Sequence, residues 1–361
     1  MMANEKIEHT PPSAPLSRGE LLAGTGNDRV GIKQRIVTCV LVPVMVLALV
    51  LAVFGAYLLA PLKGEVRGYY WNEFTPFSLA HGQSIDVGGE DYNILLLTDF
   101  HYPLSGAKTD ALIKTMVEEN NPDLIVLVGD QVFSPFNHFS YRHLINLFDS
   151  FKVPWAPVFG NHDEEGKADK QYLANMLEES EYCMFQYGPR ITGAGNYFIN
   201  LTNGADIIYT LFFLDSFSSF WESGYRPYTA DQVSWLKWAA SGIAAEAGKK
   251  VPSVVYGHIP VPEFTPAFNE AFASGTVIHG QQLEPNGHSN INNGLFAAIK
   301  DIGAEYMFCG HEHVNDFMVE YQGVKLAYVL SGGVGGYGNI LGGTMFTVKP
   351  DASTTVVNKP Y

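Results

Sequence analysis

The sequence predicts an α/β protein, and three observations lead to it. Five short apolar runs of strand length stop at residues of the metal-ligating kind. Segments with helical apolar spacing alternate with them, and one long uncharged stretch stands apart near the N-terminus. The runs are Ile94-Leu95-Leu96-Leu97-Thr98 before Asp99-Phe100-His101, Leu124-Ile125-Val126-Leu127-Val128 before Gly129-Asp130, and Val158-Phe159 before Gly160-Asn161-His162-Asp163. Val254-Val255-Tyr256 leads to Gly257-His258, and Phe308-Cys309 leads to Gly310-His311-Glu312-His313. Runs of this kind read as strands buried on both faces. A glycine ahead of the ligand-type residue lets the backbone turn tightly. His311 and His313, two apart in an extended loop, can lean to one side and reach neighbouring ions. Asp, His, Asp, Asn and three further His at one sheet edge describe a two-metal site.

In chain order, Met1 to Arg35 is rich in Pro, Ser, Gly and charge and reads as a disordered tail. Ile36 to Leu62 carries no charged residue and is long enough to cross roughly 30 Å of hydrocarbon as a transmembrane helix. Arg29, Lys33 and Arg35 precede it, against Lys63 and Arg67 after it, which points the N-terminus to the cytoplasm. A single-pass protein follows, with residues 91–361 in a lumen, a vacuole or the exterior. The Asn200-Leu201-Thr202 glycosylation sequon is compatible with that placement.

Residues 63–90 read as a stalk, with Tyr69-Tyr70-Trp71 interfacial or packed on the core. Ala111 to Val117, His143 to Phe151 and Lys170 to Leu177 have helical spacing. Ile207 to Leu214 is a strand. Thr229-Ala230-Asp231-Gln232 is a capping box before a helix whose Trp235 and Trp238 share a face. Lys325 to Leu330 and Thr344 to Val348 are strands around the glycine-rich Ser331 to Gly338. No Lys-Ser/Thr follows those glycines, so a turn beside the site fits better than a phosphate loop.

Composition narrows the function. The 361 residues are 47% hydrophobic, enough for one large domain beyond the membrane segment. Asp and Glu number 37 against 22 Lys and Arg, a net charge of −15, which disfavours a nucleic-acid partner. A phosphorylated substrate would be repelled at long range, so local metal charge must hold it. There are three cysteines and no Cys-x-x-Cys, which excludes a zinc finger or redox motif. Cys309 reads as a small apolar strand residue, and a Cys183–Cys309 pairing stays open.

The ordered set Asp-x-His, Gly-Asp, Gly-Asn-His-Asp, Gly-His and Gly-His-x-His resembles the calcineurin-like metallophosphoesterase superfamily. Gly160 to Glu164, Gly257-His258-Ile259-Pro260 and His311 to Phe317 are similar to its single-domain group of plant purple-acid-phosphatase-like proteins and fungal Dcr2-type phosphatases. The resemblance covers about Asn93 to Gly338. It implies a four-layer α-β-β-α sandwich of two mixed sheets flanked by helices. It assigns one metal to Asp99, His101 and His313, a second to Asn161, His258 and His311, and makes Asp130 the bridge. The ions would be Zn, Fe or Mn. His162 would be catalytic, facing substrate and protonating the leaving oxygen. Asp163, Glu164, Asn315 and Asp316 would support the ligands. The chain departs from true purple acid phosphatases at Phe133, where they carry a tyrosine ligand, and at His101, where they lack the histidine. A colourless enzyme is therefore expected. His9, His81, His138, His143, His279 and His288 read as surface or structural. The implied activity is phosphomonoester hydrolysis by a membrane-anchored phosphatase, with phosphoproteins among the substrates that the resemblance implies. The alternatives are a phosphodiesterase on nucleotides or lipid head groups, and a non-catalytic receptor that keeps the fold.

Overall fold

The computed structural model describes residues 34–35, 37–220, 224–338 and 340–361, in two units, Met1–Ala60 and Pro61–Tyr361. In the first unit, helix α1 (Val42–Leu59) is entered by a π-helical turn, Val37–Leu41. Together they make a continuous 23-residue apolar helix with none of its window buried. A helix that is apolar all round needs an apolar surround. At ~1.5 Å per residue it is about 35 Å long, enough for about 30 Å of hydrocarbon. Pro43 lies where the π-helical turn meets α1, and the altered turn accommodates its missing N–H. Most of the expected disordered tail, residues 1–33 with His9, lies outside the described residues.

The second unit runs β1 (Gln83–Asp86), β2 (Tyr92–Leu97), α2 (Gly106–Asn120), β3 (Leu124–Val128), α3 (Asn137–Ser150), β4 (Trp155–Val158), α4 (Lys170–Glu178), β5 (Tyr197–Asn203) and β6 (Asp206–Phe213). A short pair β7 (Ser219–Phe220) and β8 (Gly224–Tyr225) precedes α5 (Ala230–Ala247) and β9 (Ser253–Tyr256). Then come α6 (Phe264–Ser274), α7 (Leu295–Ile302), β10 (Ala304–Cys309), β11 (Met318–Tyr321), β12 (Val324–Tyr328), β13 (Gly342–Val348) and β14 (Thr354–Pro360). One sheet has the order β1-β5-β6-β9-β10-β12-β11 and the other β14-β13-β2-β3-β4. Both are mixed. β2, β3 and β4 pair in parallel beside antiparallel β13 and β14. In the larger sheet β6, β9, β10 and β12 are parallel neighbours, while the β5–β6 and β11–β12 pairs are antiparallel.

Period-two alternation divides the apolar side chains between two cores. Along β9, Val254 and Tyr256 join the core that packs sheet against sheet, and Val255 joins the one beneath α5, α6 and α7. Helices α2, α3 and α4 contribute Leu112, Ile113, Tyr141, Phe148 and Leu173 to the first core. The result is helix, sheet, sheet, helix, the expected four layers.

Several local expectations change. Residues 63–90 do not stand off as a stalk. Strand β1 pairs with β5, Trp235 Nε1 donates to the Tyr69 hydroxyl at 3.0 Å, and Trp238 Nε1 donates to the Thr75 carbonyl at 2.8 Å. Their aromatic side chains pack because α5 presents two indoles to them. Asn200 of the sequon is fully buried inside β5, where its Oδ1 accepts from Thr210 Oγ1 at 2.8 Å, so the folded domain does not offer it for glycosylation. Cys39, Cys183 and Cys309 are all free thiols, and Cys309 is fully buried as an apolar strand residue.

Candidate dimetal site

Both sheets end their parallel strands at one place. Asp99 follows β2, Asp130 follows β3, and Asn161 with His162 follows β4; His258 follows β9, and His311 with His313 follows β10. The carboxyl ends of parallel strands are where α/β sheets gather ligands. The backbone there is forced. Asp99, His101, Asp130 and His311 hold φ of 57°, 47°, 50° and 81°, a left-handed region that costs a residue with a side chain of order 1–3 kcal/mol. The preceding glycines act differently from the expected tight turn. Gly129 alone of those four has positive φ, 91°. Gly160 is needed for close approach, since a Cβ there would lie 2.1 Å from Asp130 Oδ1.

Six of the seven candidate ligands and His162 are brought together, and Asn161 precedes His162 on the same loop after β4. Asp99, His101 and His313 form one group with ligand atoms within 4.8 Å of one another, and Asp130, His258 and His311 form a second. Asp130 is common to the second group and to a third with His101 and His162. Its Oδ2 lies 3.1 Å from both His101 Nε2 and His258 Nε2. The far ring nitrogens are tied back. His258 Nδ1 donates to the Val128 carbonyl at 2.8 Å and His313 Nδ1 to the Tyr337 carbonyl at 3.2 Å. Such bonds fix the tautomer and aim Nε2 at the centre.

Charge in the cluster is unbalanced. Burial works against a charge on His258, but Asp130 and Asp99 outweigh it and hold its pKa up at about 10. Burial, with cationic His258 beside it, pushes His311 down to about 3. Asp130 is itself buried, yet His258 and His101 hold it well below the usual carboxylate range. Burial pushes Asp163 up to about 6, helped by Asp130. Asp163 accepts from Gly160 N–H at 2.7 Å and Val132 N–H at 2.9 Å, so it stitches the β3 and β4 loops together.

The donors fit a pair of cations. Asn161 is 1% exposed and neither of its side-chain polar atoms has a hydrogen-bond partner. Leaving a buried amide without partners costs about 1–3 kcal/mol. Imidazole nitrogens, carboxylates and one amide oxygen suit Zn, Fe or Mn.

His162 differs from the other histidines in being partly open, with 31% of its side chain exposed. Its backbone N–H donates to Asp130 Oδ1 at 2.9 Å, its Nδ1 meets Glu165 Oε2 at 2.8 Å, and its Nε2 lies 4.0 Å from Asp130 Oδ2. Glu165 was not singled out from sequence, although its spacing of three from His162 carried the signal. Of the expected supporting residues, Glu164 accepts from Ser218 N–H at 3.3 Å. Asn315 and Asp316 brace residues 281–284 through Leu283 N–H to Asn315 Oδ1 at 2.9 Å and Gln281 N–H to Asp316 Oδ1 at 2.8 Å. Tyr337, in the glycine-rich turn, stacks on His313 at 4.4 Å. The other described histidines stay away from this centre; His143, for example, meets Asp110 at 3.0 Å.

The chain is similar in sequence and fold to known proteins. The chain is 28% identical over 296 residues to a protein named probable inactive purple acid phosphatase 29 from Arabidopsis thaliana, covering 69% of this chain and 73% of that one. It is 26% identical over 233 residues to phosphatase DCR2 of Saccharomyces cerevisiae, covering 58% of this chain but 39% of that one. A solved dimetal phosphatase from Danio rerio matches with a TM-score of 0.43 and 12% identity, over 74% of this chain and 98% of that one. The family model for calcineurin-like phosphoesterase matches residues 92–315, which contain every candidate ligand, and the chain belongs to that family.

Proposed function

We propose that the chain is a membrane-anchored phosphomonoesterase that uses Asp99, His101 and His313 for one metal ion, Asn161, His258 and His311 for a second, and Asp130 for both. The observation that carries this is the gathering of six strand-end ligand residues into two groups with ligand atoms within 4.8 Å, together with a buried Asn161 amide that has no partner. When bound, the ions would supply charge to the phosphoryl oxygens and bring the pKa of a water toward neutrality. The protein's own residues do the rest. Val128 and Tyr337 carbonyls keep His258 and His313 aimed inward. Asp163 holds the β4 loop that carries Asn161 and His162. Glu165 Oε2 accepts from His162 Nδ1–H and orients the ring, and the Nε2–H of the imidazolium form would be the proton given to the departing oxygen. Asp130 fixes the backbone of that same histidine. The apolar helix over Val37–Leu59 supports anchoring, and the preceding Arg29, Lys33 and Arg35 support a cytoplasmic N-terminus.

Turnover of p-nitrophenyl phosphate and its bis ester by the purified, metal-loaded chain tests the reading. Preference for the monoester is expected. Preference for the bis ester would make it a phosphodiesterase, and a loaded protein that cleaves neither would match the "inactive" in its plant relatives' names. Protease added to sealed microsomes should spare the domain; digestion without detergent would reverse the topology.

A further inference from the structure

We infer that Phe133 is a specificity residue that selects phosphate esters whose leaving group carries an aromatic ring. The inference rests on the phosphomonoesterase reading and names the substrate class for that site. The β3–α3 loop and the first turn of α3 bear three phenylalanines in seven residues, and all three are exposed: Phe133 by 45%, Phe136 by 41% and Phe139 by 65%. A lone exposed phenylalanine needs no explanation. Phe133 differs because the loop is pinned around it. Val132 is fully buried with its N–H on Asp163 Oδ1, Ser134 is buried, and Phe133 N–H donates to the Tyr102 carbonyl at 3.0 Å. Only the ring projects. It stands 4.7 Å from the His162 ring and 6.2 Å from that of His101. A group leaving toward His162 Nε2 therefore departs beside the Phe133 face, where a planar partner gains stacking as well as burial.

Charge around the centre points the same way. Among the described residues, the side chains other than histidine that meet His101, His162, His311 and His313 are Phe133, Tyr225, Tyr337, Glu165, Glu312 and the two aspartates, with no lysine or arginine among them. A leaving group carrying further phosphates would meet carboxylates there, and an uncharged ring would not.

The test compares binding and turnover in the metal-loaded full chain held in phospholipid nanodiscs. Calorimetry with benzylphosphonate and ethylphosphonate, which cannot be hydrolysed, reads affinity. Benzyl phosphate and ethyl phosphate, whose alcohols have similar acidity, read kcat/KM. The wild type should prefer benzyl by about tenfold in both, or about 1.4 kcal/mol. In Phe133→Ala and Phe133→Leu the ratio should fall to about one, and Phe133→Tyr should keep it. Equal affinity in the wild type, or an unchanged ratio in both Ala and Leu variants, would overturn the inference. A benzyl preference in binding with no turnover of either ester would sustain it while removing the phosphomonoesterase reading.

Discussion

Two clusters of buried charge lie at the ends of the strands, and only one of them is internally complete. After β6, Lys170 Nζ donates to Asp215 Oδ1 at 2.9 Å, to Asp215 Oδ2 at 3.2 Å and to the Ser216 carbonyl at 2.7 Å. Asp215 also takes the Ala194 N–H at 2.9 Å. Every donor of the ammonium is used, and the pair is closed to solvent, with side-chain exposures of 4% and 0%. In the histidine–carboxylate cluster, by contrast, the Asn161 amide keeps both polar atoms without partners, and neighbouring imidazoles are driven toward opposite charge states. Folding alone satisfies the first cluster. The second holds its residues in left-handed backbone and leaves donors unused, the mark of groups arranged for something that arrives later.

That contrast is broken or sharpened by variants that act on one cluster at a time. His162→Ala should keep both metals while kcat falls about 10²–10⁴-fold on alkyl phosphates, because a proton given in the transition state is lost. The deficit should shrink for esters of acidic phenols. Metal loss in that variant would make His162 a ligand, and full kcat on an alkyl phosphate would make it structural. Lys170→Met should instead lower stability by about 3–5 kcal/mol in urea unfolding, since it strands a buried Asp215. That loss should be the same with metal or chelator present, and a loss confined to the metal-loaded protein would join the two clusters into one.

The smallest effect is on pH. With a pKa raised from 6.5 to about 10, His258 is cationic in the metal-free fold at neutral pH. The stability it contributes there is complete below 6.5 and is lost as pH rises through 10. An ion must displace that proton, so apparent metal affinity should rise about tenfold per pH unit between those values. Calorimetry in buffers of different ionisation enthalpy counts the released proton. An affinity that is flat from pH 7 to 9 would take His258 out of the ligand set.

Much of this was legible because strand burial and strand-end chemistry are written locally. Leu124 to Val128 is strand β3 to the residue, and Thr229 with Gln232 forms the expected capping box. Helix α6 shows no clear apolar period in the sequence because Pro266 interrupts its spacing, although proline is at home in a first turn. Strand β14 was missed as a short alternating run at the very end of the chain. Missing β5 also hid the burial of Asn200, since a sequon says nothing about which way its asparagine faces. At the site, the ligand types and their order were readable, but the partnership of Glu165 with His162 depends on side-chain rotamers. So does the projection of Phe133. The role of Gly160 likewise depends on Asp130 arriving from another strand.

The central claim is that the unfinished cluster is completed by two metal ions sharing Asp130. Elemental analysis of the purified full chain beside Asp130→Asn tests it most directly. About two ions per chain are expected in the wild type. The variant should lose much of that content and nearly all turnover, because one negative charge between two dications is gone. A folded wild type that takes up no metal when offered Zn, Fe and Mn, or an Asp130→Asn protein with the same content as wild type, would contradict it.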